Sequence, residues 1–197
     1  MAGEAAPERM TVAAFLEWAS GRPEGERWEL VEGAPVPVRG ATPAQAMAAE
    51  TVIHARIKRR IDHALRQVLA QPGHACEVFV SGPKVQVDAE NAFEPDVVVT
   101  CAEVPEGMLI REPLIIVEVL SASTRDRDFS IKLAGYAGLA SVAHYLLVDT
   151  QRRLVVHHHR AGGEQEFRTA IVRGGVVRLE PPGLDLDIDA IYASSGV

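Results

Sequence analysis

Apolar residues recur along this chain with two different periods, and the switches between them mark out its elements. A short helix is expected over VAAFLEWAS, opened by Thr11 as its N-cap. RWELVEGAPVPVRG alternates and then breaks at Glu32 and Gly33, which predicts a hairpin. From 43 to 71, Ile53, Ile57, Ile61, Leu65 and Leu69 recur at every fourth position, the stripe of one long amphipathic helix. After PGH the runs become short and β-rich: CEVFV, KVQVD, DVVVTC and LIIVEVLS. A second helix is expected over 128–139, followed by HYLLVD and RLVVHHHR as strands. GGVVRLE, a PPG break and a short helix over DIDAIYA close the pattern. With no obvious linker or repeat, residues 1–197 read as a single α/β domain whose sheet carries the long helix.

Composition narrows the picture only slightly. With 47% hydrophobic and 24% charged residues the chain has an ordinary globular balance. Its apolar runs fall short of the roughly 20 residues of a membrane span, and MAGEAAPERM lacks the features of a secretory leader. A cytoplasmic location is therefore expected, with Cys76 and Cys101 as reduced thiols. The net charge of −7 argues against bulk attraction to nucleic acid, so binding phosphate would require a local basic face or metal ions.

Two acidic residues break the apolar logic. Asp96 opens the EPDVVVTC run, and Glu118 lies inside PLIIVEVLS. A buried carboxylate is costly unless paired, neutralised or bound to a metal. Either residue alone fits a structural role, Asp96 as a strand opener and Glu118 as a partner of Arg111. Neighbouring strands lie about 4.8 Å apart, so two carboxylates on one face could hold a divalent cation. Mg²⁺ suits such a site because it takes oxygen ligands and keeps several waters.

The order of these motifs resembles the Uma-type restriction endonuclease family, within the PD-(D/E)XK nuclease superfamily. RWELVEG, EPDVVV, IIVEVLSAST, Asp128-Lys132-Tyr136 and HYLLVD carry the resemblance, which covers roughly residues 11–193. It implies a restriction-endonuclease-like core: a central mixed sheet flanked by helices, with an N-terminal helix and hairpin. It also implies DNA as substrate and Mg²⁺ (or Mn²⁺) held by Asp96, Glu118 and the Val119 carbonyl. The superfamily's lysine two residues after the glutamate is replaced by Leu120, and related sequences point to Lys132 on the following helix instead. A binding or assembly module without turnover, and a hydrolase of another phosphorylated substrate, are the alternatives.

Further positions are accessory candidates. Glu50, His54 and Lys58 share one helical face and read equally as site residues or as a solvated ladder. Asp128 would cap or hold Lys132, with a surface Asp–Lys pair as the competing reading, and Tyr136 lies one turn further on. Ser121 and Ser123 more simply end a strand. Arg56 and the IKRR run form the best basic patch. Of His157, His158 and His159 only the outer two can share a face, and a structural strand is favoured over a metal site. Cleaving both strands of a duplex is simplest for a two-fold homodimer.

Overall fold

The computed structural model describes residues 9–23, 25–38, 51–71, 73, 75–104, 109–120, 129–160 and 164–193. Its N-terminal part holds α1 (Val12–Ser20), β1 (Trp28–Val31), β2 (Ala34–Pro37) and α2 (Val52–Leu69). A run of short strands follows: β3 (Glu77–Val80), β4 (Lys84–Gln86), β5 (Ala92–Phe93), β6 (Val97–Thr100), β7 (Leu109–Ile110) and the longer β8 (Pro113–Leu120). After α3 (Phe129–Gly138) come β9 (His144–Asp149), β10 (Val155–His159), β11 (Arg168–Val172), β12 (Val176–Leu179), β13 (Leu184–Asp187) and α4 (Ile188–Tyr192).

Local chemistry sets several of these boundaries. Thr11 caps α1 by accepting the Ala14 N–H at 3.3 Å. The β1–β2 hairpin turns through Glu32 and Gly33, both at positive φ (50° and 77°), the two-residue turn whose twist matches paired strands. A Cβ on Gly33 would also lie 2.9 Å from the Arg9 Cβ, so glycine is required there twice over. The long helix carries the whole stripe from Ile53 onward: Thr51 is its N-cap, accepting the His54 N–H at 3.3 Å.

A six-stranded sheet in the order β11-β10-β9-β8-β6-β3 forms the centre; β8 and β9 run parallel and the other neighbours antiparallel. One face packs on Ile57, Ile61, Leu65 and Leu69 of α2, together with β12, β13 and α4. Here Val97, Val99, Ile115, Val117, Val119, Leu146 and Val148 point inward. Against the other face, through Val98, Ile116, Tyr145 and Leu147, pack Tyr136 of α3 and Val85 and Phe93 of a second sheet. That second sheet has the order β2-β1-β5-β4-β7 and carries α1 on Phe15 and Leu30. The mixed α/β architecture thus agrees with the resemblance, with a second five-stranded sheet that joins the expected hairpin and the KVQVD run. None of the described helices is long and apolar enough to cross a membrane.

The cysteines depart from expectation. β3 and β6 pair antiparallel with Glu77 opposite Thr100, so the next step of the ladder sets Cys76 against Cys101. They are joined as a disulfide with Cα atoms 3.8 Å apart, not held as reduced thiols. A separation of 25 residues carries no pairing signal in the sequence.

Candidate active site

The carboxylates meet because of strand register. β6 and β8 are antiparallel neighbours with Val97 opposite Val117, and one step back along β6 sets Asp96 beside Glu118. Residues on β8 alternate between faces, so Glu118 shares the side of Ile116 that faces α3 and the second sheet. Asp96 and Glu118 are 5% and 8% exposed, deep enough that each needs compensation. Asp96 Oδ2 accepts the Val119 N–H at 2.7 Å and lies 3.4 Å from His54 Nε2. Arg111 is not the partner of Glu118; it donates instead to Gln86 Oε1 at 3.2 Å.

Lys132 reaches the site from α3. Its ammonium donates to Glu118 Oε1 at 3.0 Å and to Glu29 Oε1 at 2.8 Å. With the side chain 13% exposed, this is not a surface ion pair. Tyr136, one helical turn on, donates to Glu118 Oε1 at 3.4 Å and packs edge-on against Phe93 and Tyr145. His54 is buried, and Lys58 donates to Ser81 Oγ at 3.2 Å. Neither side chain is therefore simply a member of a solvated ladder: His54 lies against Asp96 and Lys58 against Ser81. Glu50, Asp128, Ser121 and Ser123 lie outside the described residues.

Glu29 was not among the sequence candidates. It sits on β1, is 4% exposed, and accepts the Glu94 N–H at 2.7 Å as well as the Lys132 ammonium. Its signal was the one that exposed Glu118, an acidic residue inside an apolar strand, but WELV reads first as half a hairpin.

Two carboxylates therefore share one ammonium, with Asp96 beside Glu118 as a third negative group, and protonation follows from that imbalance. Burial lifts the Glu118 carboxyl most; Lys132 opposes the rise, while Asp96 and Glu29 add to it, leaving it at about 7 instead of 4.5. Burial alone would lower the Lys132 ammonium, yet Glu118 and Glu29 outweigh it and hold the group well above its ordinary value. Lys132 thus remains a cation and donor rather than a neutral base. Burial and then the Glu118 charge raise the Tyr136 phenol, keeping it protonated.

The donors are hard oxygens with excess negative charge, a set suited to Mg²⁺ or Mn²⁺. Among the described residues no three His, Cys, Asp or Glu side chains are arranged to hold a metal together. The arrangement accordingly fits a cation held by two carboxylates and otherwise by water or backbone oxygen, not an all-protein cage. The histidines of β10 fit the structural reading. His157 bonds to His144 of β9 at 3.0 Å, and His158 to Thr169 Oγ1 at 2.8 Å.

The raised Glu118 carboxyl gives a signed pH dependence. A folded-state pKa above the unfolded value favours the folded state at low pH. In EDTA the melting temperature should accordingly decline as pH rises from about 5 to about 7, a slope that Glu118→Gln should flatten. Mn²⁺ affinity should change in the opposite sense, rising until the carboxyl has lost its proton near 7. Melting curves with EDTA and with Mn²⁺ check both signs; parallel pH profiles would contradict the assignment.

Known proteins place this geometry in context. Two uncharacterized proteins of Synechocystis sp. are similar to the chain. One is 28% identical over 153 residues, 75% of this chain and 80% of its own length. The other is 31% identical over 123 residues, 61% of this chain and 65% of its own. Among solved structures, a "putative nuclease belonging to DUF820" from Anabaena variabilis superimposes with a TM-score of 0.68. It covers 93% of this chain and 98% of its own at 16% identity, a likeness of fold. The model of the Uma2 family, described as "Putative restriction endonuclease", matches residues 12–190, and the chain belongs to that family.

Proposed function

We propose that the protein is a metal-dependent nuclease that hydrolyses phosphodiester bonds in DNA. The observation that carries this reading is the buried Lys132 ammonium, 3.0 Å from Glu118 and 2.8 Å from Glu29, with Asp96 set beside Glu118 by the pairing of adjacent strands. Family membership and fold support a nuclease-type function.

Asp96, Glu118 and the Val119 carbonyl would hold Mg²⁺ or Mn²⁺. When bound, such a cation lowers the pKa of a coordinated water and stabilises charge on a phosphoryl oxygen. The chain's own groups do the rest. The Val119 N–H fixes Asp96 Oδ2, and Tyr136 fixes Glu118 Oε1. Lys132, held protonated, orients the attacking water and offsets the charge that develops on phosphorus-bound oxygen. Glu29 keeps the ammonium aimed at Glu118 rather than at solvent. Cutting both strands is simplest with two such sites, which a two-fold dimer would supply.

The test is cleavage of supercoiled plasmid by the wild-type chain with Mg²⁺ or Mn²⁺. Nicked and linear products that disappear in EDTA are expected. Intact plasmid in every metal, with retained duplex binding, would favour a nuclease fold used for binding without turnover.

A further inference from the structure

A second ionic cluster lies one hydrogen bond from the carboxylates. Glu94, whose side chain has no exposure, accepts the Gly82 N–H at 2.6 Å and the Arg27 Nε–H at 2.7 Å, both on Oε1. Arg27 Nη2 pairs with the same oxygen. Among the described residues Glu94 Oε2 accepts no hydrogen bond, and Lys84 Nζ stands 3.5 Å from it. The Glu94 N–H in turn donates to Glu29 Oε1, the oxygen that also receives Lys132.

Formal charges set the two clusters apart. Asp96, Glu118 and Glu29 against Lys132 leave an excess of negative charge, which a divalent cation balances. Arg27 and Lys84 against Glu94 leave an excess of one positive charge, which a phosphodiester balances. Arg27 is the accessible member: its Nε and Nη2 are engaged by Glu94, yet its side chain is 43% exposed. The outer edge of a guanidinium fixed in this way presents donors in the planar geometry that phosphate oxygens accept. The turn beside it adds charge, because Ser81, one residue before Gly82, receives the Lys58 ammonium.

We propose that Arg27, braced by Glu94 and supported by Lys84, binds a backbone phosphate of the DNA strand next to the one being cleaved. This deepens the nuclease reading and rests on it. It would also give an acidic chain a local cation with which to hold a phosphate near the reaction centre.

The test is fluorescence anisotropy of a labelled mixed-sequence duplex with the full chain in Ca²⁺, repeated across a range of salt. Each phosphate contact contributes about 0.9 to the slope of log affinity against log salt. Arg27→Gln should therefore reduce the slope by about 1 relative to wild type with Mn²⁺ affinity little changed, although melting should fall somewhat because the buried Glu94 loses a charged partner. Arg27→Lys, which keeps the charge, should restore the slope. A wild-type chain that binds no duplex would overturn both the subsite and the nuclease reading. Wild-type binding with an unchanged slope in Arg27→Gln would overturn the subsite alone. So would a loss of binding accompanied by a lower melting temperature and not restored by Arg27→Lys, because Arg27 would then be only a structural partner of Glu94.

Discussion

Asp96→Asn and Glu118→Gln are each expected to weaken Mn²⁺ binding by more than about 100-fold without unfolding the protein. Each substitution removes a charged oxygen donor while nearly preserving the shape of the side chain. In Asp96→Asn the Val119 N–H can still donate to the side-chain carbonyl that remains, provided the new amide turns its oxygen that way. Glu118→Gln also relieves repulsion, because Glu118 lies near both Asp96 and Glu29 and is lifted to about 7 by burial and by them. At pH above 7 its melting temperature in EDTA should consequently match or exceed that of wild type. Calorimetric titration with Mn²⁺, paired with melting curves, checks both halves. Wild-type affinity in both variants would remove the metal from this site.

The largest catalytic effect is expected at Lys132. Lys132→Ala should reduce cleavage by about a hundred- to a thousandfold, the scale seen when one donor to a developing oxyanion is lost. Loss of a lysine from a surface Asp–Lys pair would leave melting close to wild type. Because the ammonium is shared by two buried carboxylates, the geometry changes that expectation. Removing it leaves Glu29 and Glu118 facing one another, and breaking a buried pair typically costs about 3–5 kcal/mol. Melting in EDTA should fall accordingly, and Mn²⁺ should recover much of the loss by supplying the missing positive charge. Lys132→Arg should keep the fold better while still cleaving poorly, since a planar fork does not reproduce a point donor. Full cleavage by Lys132→Ala, measured with the same plasmid substrate, would exclude the lysine from the reaction.

Legibility in the sequence tracked the range of the interactions involved. The α2 stripe of Ile57, Ile61, Leu65 and Leu69 was readable because one helix face meets one sheet face. The hairpin was readable from Glu32 and Gly33, since its turn chemistry is local. β5 and β7, of two residues each, are too short to show a period, so the second sheet was legible only in its hairpin and in the KVQVD run of β4. Asp96 and Glu118 stood out because acidic residues interrupt otherwise buried strands, and register then brought them together. Glu29 shows the opposite case. Its contact with Lys132 spans 103 positions, and nothing local to either residue announces it. The Arg27–Glu94–Lys84 cluster escaped notice for the same reason, because it is assembled from β1's approach, β4 and the segment before Asp96.

The most direct measurement is anomalous diffraction from crystals of the full chain soaked in Mn²⁺. A peak is expected between the Asp96 and Glu118 carboxylates, within about 2.0–2.3 Å of an oxygen from each, with Lys132 still held by Glu29. Crystals that show no peak there, at a Mn²⁺ concentration that saturates binding in solution, would contradict a metal-assisted site built on these two carboxylates.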